Sequence, residues 1–168
     1  MNKKLGRPTD QRMAVIRNQT SELLWYGRIE TTRARAKSVR SEAEKIITLA
    51  IKTYQDEIKV KKTKTDAKGN KSEVEFTNDG AKKLAARRRI MATLVDIPEI
   101  KKEKESKKNF VARIKDIKNP LVEKIFTEYA PKYDKRAQDK GIGGGYTRII
   151  NKDVRRGDAA EIVILELI

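Results

Sequence analysis

Basic side chains outnumber acidic ones in every stretch of this chain. Residues 1–50 carry 11 basic and 5 acidic residues, 51–110 carry 17 and 10, and 111–168 carry 12 and 9. These excesses make up a formal charge of +16, and there is no histidine to modulate it. The charge is not confined to one detachable tail. Such a chain suits embedding in a polyanion, and nucleic acid fits the pattern better than a membrane.

The length, 168 residues, suits one domain with its own core, spanning 1–168. No apolar run approaches the roughly 20 residues that span a bilayer. The opening MNKKLGRPTDQ lacks the apolar stretch of a secretory signal, so the expected location is the cytoplasm, with no membrane partner. Without cysteine or histidine there is no disulfide framework, imidazole base, thiol nucleophile or familiar zinc set. Glu42 and Glu44 lie two apart on an expected helix and diverge, so they do not form a shared acid–base site. The glycines of KGIGGGY lack the Gly-Lys-Ser/Thr ending of a phosphate loop and precede a strand instead of a helix. They read as a flexible entry to a hairpin. No catalytic residue, metal, cofactor or small-molecule substrate is expected.

Periodicity supplies the elements. Thr9 or Asp10 can cap a first helix in which Met13, Ile16, Thr20, Leu23 and Leu24 recur at helical spacing until Gly27. GRIETT at 27–32 reads as a short strand, and Thr32 can cap a second helix. That helix carries a stripe of Val39, Ala43, Ile46, Ile47, Ala50 and Ile51, which predicts a wet first half and a buried second half. Residues 54–80 alternate as a long polar hairpin, with DAKGN as its turn. Asn78 or Asp79 can cap a third helix whose apolar positions are Leu84, Met91, Leu94 and Val95. The Lys-rich connector at 98–108 reads as a flexible loop or an exposed helical turn. A last helix starts after Asn119 with the stripe Leu121, Val122, Ile125, Phe126 and Tyr129, and the chain turns polar after Pro131. YTRII and AAEIVILELI form a terminal hairpin around RRGD. The expected fold class is α+β in two layers: a small, mainly antiparallel three-stranded sheet packed by helices in α-β-α-α-α-β-β order, with an inserted polar hairpin.

Several separated blocks carry a resemblance. KLGR at 4–7, RMAVIRNQTSELL at 12–24, GRIETT followed by RARAK at 27–37 and EKIITLA at 44–50 look like the first half of bacterial ribosomal protein L-seventeen. GGYTRI at 144–149, RRGDAA at 155–160 and a final strand ending in LEL plus Ile168 look like its last third. Residues 54–80 and 98–108 look like insertions relative to shorter members, and Gln11 stands where members often carry histidine. The resemblance implies a two-layer α/β fold and a place in the large ribosomal subunit. It also implies 23S ribosomal RNA and neighbouring large-subunit proteins as partners, and a role in assembly and architecture without a catalytic cycle.

Three groups of residues are expected to carry the binding. Arg33, Arg35, Lys37 and Arg40 open the second helix. Cations there oppose the helix dipole by roughly 0.3 to 1 kcal/mol each when exposed, and an RNA phosphate at the helix N-terminus would reverse that penalty. Lys3, Lys4, Arg7, Arg12 and Arg17 surround a basic N-terminal extension at 1–8 that can thread between RNA helices. Arg148, Arg155 and Arg156 flank the terminal hairpin, and Tyr146 could stack on an unpaired base. Trp25 is expected to pack in the core. Arg87, Arg88 and Arg89 wrap around their helix, so at most two can face RNA. A structural ribosomal protein is the leading reading. A free-standing nucleoid-type protein is the alternative and an RNA-modifying enzyme the third.

Overall fold

A computed structural model describes residues 4–65, 71–115 and 117–168. Lys3 and the DAKGN turn, both singled out above, lie outside the described residues.

Helix α1 (Thr9–Tyr26) stops at Gly27, whose φ of 80° lets its N–H close onto the Leu23 carbonyl at 2.8 Å. Strand β1 (Arg28–Thr32) follows at once and runs directly into α2 (Arg33–Ile51). Strands β2 (Glu57–Thr65) and β3 (Lys71–Asp79) pair with each other as a separate two-stranded sheet among the described residues. Then come α3 (Ala81–Thr93), α4 (Lys107–Ile114), α5 (Pro120–Lys124), a π-helical turn (Ile125–Tyr129) and α6 (Ala130–Lys140). Strands β4 (Thr147–Val154) and β5 (Glu161–Leu167) close the chain.

The fold class is α+β, as expected. The main sheet is antiparallel in the order β1-β5-β4, so the C-terminal strand is central and the strand after α1 lies at an edge. One apolar cluster joins Leu23, Ala36, Val39 and Ala43 to Val163 and Leu165 of β5. A larger one packs Leu24, Ile47 and Ile90 against Leu121, Ile125, Phe126 and Tyr133. Tyr129 ties them to α1 by donating its hydroxyl to the Leu24 carbonyl at 2.8 Å, and burial pushes that hydroxyl's pKa up to about 12.

The structure corrects four expectations. Burial in α2 begins at Ala36, not half-way along, because β5 crosses beneath its first turns. Core and exposed cations therefore lie side by side along α2, not end to end. In α3 the buried face is Lys83, Ala86 and Ile90, followed by Leu94, while Leu84 and Met91 are exposed. A lysine occupies a core position: its stem is covered, and its ammonium meets Glu57 at 2.6 Å and Asp79 at 3.3 Å. The cap of α3 is also remote. Its N-cap is Gly80, and the Asp56 carboxylate accepts from the N–H groups of Lys82 (2.8 Å) and Lys83 (3.3 Å). Finally, the helix begun at Pro120 does not end at Pro131 but continues to Lys140. The π turn, in which the Ala130 N–H reaches the Ile125 carbonyl, re-phases the ladder just before the proline that cannot donate.

Candidate nucleic-acid interface

Thr32 leaves β1 in extended conformation and makes no side-chain cap bond to α2, and the first turn holds no acidic residue. The first-turn N–H groups thus lack the usual side-chain acceptor. Arg33, Arg35 and Lys37 project around this end. The chain brings two further segments to it. One is the β4–β5 turn with Arg155 and Ala160; the other is the N-terminal segment, through Leu5. Together with Thr32, Ala34 and Glu161 they line a cleft of about 610 Å³. The second-helix and terminal-hairpin groups thus reach this cleft through Arg33, Arg35, Lys37 and Arg155, while the N-terminal segment reaches it through Leu5 and not through a cation.

Acidic neighbours sort the cations. Arg33 meets Glu161 at 2.7 Å, and this guanidinium holds the Glu161 carboxyl below the usual carboxylate range. Arg155 is held at 2.8 and 2.6 Å by both carboxylate oxygens of Asp158. Arg40 lies 3.4 Å from Glu44, and Arg148 lies 3.5 Å from Glu166 on the neighbouring strand. These pairs are about half exposed on the basic side, a setting in which an ion pair contributes little and a phosphate can compete. Lys4, Arg7, Arg17, Arg35, Lys37 and Arg156 make no ion pair among the described residues. The Arg12 guanidinium donates to the Thr9 hydroxyl at 3.4 Å.

The N-terminal segment differs from the extended thread expected. Leu5 and Gly6 take positive φ of 52° and 64°, and the Arg7 N–H bonds the Lys4 carbonyl, so residues 4–7 form a turn. Tyr146, expected as a candidate stacking residue, packs mainly in the core and keeps one edge on a depression beside α2. It is 5% exposed, with Tyr133 4.8 Å from its ring centroid and the Arg136 guanidinium 5.5 Å away. Arg136, which the sequence reading passed over, also donates to the carbonyls of Gly144 and Gly145. Those glycines have φ of 87° and 57°, a backbone that side-chain-bearing residues rarely adopt. The glycine run is thus a shaped turn clasped by an arginine, not a loose entry. Trp25 packs against the core, as expected, with the Lys124 ammonium 5.4 Å from its ring. Of the arginine run, Arg87 is taken up by Asp79 (2.5 Å) and Glu123, while Arg88 and Arg89 stay exposed.

The geometry is that of an uncapped, cationic helix end beside a basic turn. Comparison with known proteins agrees. The family model for ribosomal protein L17 matches residues 15–168. The chain belongs to the ribosomal protein L17 family. Similar proteins include a large ribosomal subunit protein bL17 of Ruminiclostridium cellulolyticum, 43% identical, which covers 99% of this chain and 98% of its own length. The bL17 of Acetivibrio thermocellus is 39% identical with the same coverage, and that of Clostridium acetobutylicum is 37% identical over 99% of this chain and 96% of its own. Membership of L17 makes the chain a structural constituent of ribosomes and not an enzyme.

Proposed function

We propose that this L17-family chain is a constituent of the large ribosomal subunit in the cytoplasm. There it binds 23S ribosomal RNA, supports subunit assembly and contacts neighbouring large-subunit proteins. The single observation that carries the reading is the cleft at the start of α2, where Arg33, Arg35, Lys37 and Arg155 surround helix N–H groups that no side chain caps. A phosphate seated there would interact favourably with the dipole, the N–H groups and the cations together. The rest of the basic set, Lys3, Lys4, Arg7, Arg12, Arg17, Arg40, Arg148 and Arg156, acts as phosphate contacts that hold the chain in register on folded RNA.

If about eight phosphates are neutralised, log K for large-subunit RNA should fall with log salt at a slope of about −6 to −7. Replacing Arg33 and Arg35 together by Ala should flatten that slope by roughly one to two units while circular dichroism stays unchanged. An unchanged slope would remove both residues from the contact set.

A further inference from the structure

Away from the cleft at its start, α2 forms one wall of a second depression of about 570 Å³, walled on its other sides by α3 and the glycine turn before β4. Its floor is apolar: Ile46 and Leu49 of α2, Ile90 of α3 and the exposed edge of the otherwise buried Tyr146. Lys52 and Arg89 stand on its rim, and the hydroxyl-bearing Thr48 and Thr93 line it. Two carboxylates also line it but are engaged within the protein. Glu42 pairs with Lys45 at 3.0 Å, and Glu44 accepts from Arg40 at 3.4 Å and from the Thr147 hydroxyl at 2.8 Å. Lys52 and Arg89 are exposed and make no ion pair among the described residues.

The two depressions share a track. Arg33, Lys37, Ser41, Lys45, Thr48 and Lys52 recur every three or four residues, so one face of α2 leads from the first cleft to the second. A polyanion seated on the helix start and running along this face would arrive at the rim formed by Lys52 and Arg89. An apolar floor beneath a cationic rim suits a group with a flat apolar body and a phosphate at its edge. RNA-binding proteins take up bases splayed out of loops and bulges in such places, because the base edges in the deep major groove of an A-form helix cannot be reached.

We infer that the depression between α2, α3 and the glycine turn receives an unpaired nucleotide of the bound RNA, its base on Ile46, Leu49 and Ile90 and its phosphate against Lys52 and Arg89. The inference rests on the RNA-binding reading above.

The test uses the full chain and transcribed 23S RNA, with affinity measured against salt and base reactivity probed chemically. Lys52→Ala with Arg89→Ala should flatten the slope by about 1.4 to 1.8 units and unmask one unpaired position that the native chain protects. Thr93→Trp, which fills the depression without changing charge, should unmask the same position while leaving the slope alone. Lys135→Ala with Lys140→Ala removes equal charge from α6 and should do neither. If the rim pair behaves like this α6 control while Arg33→Ala with Arg35→Ala still weakens binding, the second site is overturned and the RNA-binding reading stands. If rim variants bind RNA normally but fail to enter particles, a protein occupies the depression and the inference is likewise overturned. A native chain that does not bind large-subunit RNA at all would sink the underlying reading.

Discussion

Arg155 donates from its Nε and Nη2 to the two carboxylate oxygens of Asp158 and thereby closes the turn between β4 and β5. The Ala159 N–H returns to the Arg155 carbonyl at 2.9 Å, with Ala159 at a positive φ of 52°. Hydrogen bonding from Arg155 lowers the Asp158 carboxyl from 3.8 to about 2. Because the folded value lies below the unfolded one, the contribution of this pair is complete above about pH 4 and is lost as pH falls through about 2. Following the Asp158 carboxyl by NMR should give a midpoint near 2 that returns toward 3.8 in Arg155→Ala; the same midpoint in both proteins would contradict the pairing. The hairpin turn at RRGD was legible in the sequence. The partners of Arg33 and Arg148 were not, since Glu161 is 128 positions from Arg33 and Glu166 is brought to Arg148 by strand register. Basic residue types thus marked the candidate interface, but only tertiary packing showed which cations have anionic neighbours. It also showed that Tyr146 is a core residue.

At the scale of elements, α3 shows what local patterning hides. Its cap comes from Asp56, between α2 and β2, so the sequence rule that looks one residue before the helix chose Asn78 or Asp79. Its core face contains Lys83, so apolar periodicity alone points to Leu84 and Met91, a rotation away from the true face. Gly80 is required by the same arrangement: a Cβ there would stand 2.4 Å from the Asp56 carboxyl. Gly80→Ala should displace that carboxylate and cost about 1 kcal/mol in urea unfolding, as a lost cap does. Asp56→Ala should cost a similar amount, and the double variant should cost no more than either alone, since both remove one interaction. Additive losses would mean that the glycine is needed for another reason. The strands and α1 were readable because alternation and Gly27 act locally. The run from Pro120 to Lys140 was not, because a π turn carries the helix past a proline that would otherwise end it.

At the scale of the whole molecule, the dispersed excess of +16 becomes intelligible once α2 is seen to carry its apolar and cationic faces along the same length. One side closes the core against β5 and the helices that follow; the other runs between two depressions, from Arg33 to Lys52. The fold class was readable because a short strand, amphipathic helices and a terminal hairpin leave few ways to bury one sheet face. The meeting of the α2 cations with Arg155 at one helix end was not, since it depends on β5 lying between β1 and β4. The central claim is that these cations are matched to a surrounding ribosomal RNA scaffold. Sedimentation of cell extract at moderate salt tests it most directly. The account predicts that nearly all copies travel with large subunits and are released together as salt rises, whereas copies that follow DNA or remain free while large subunits are abundant would contradict it.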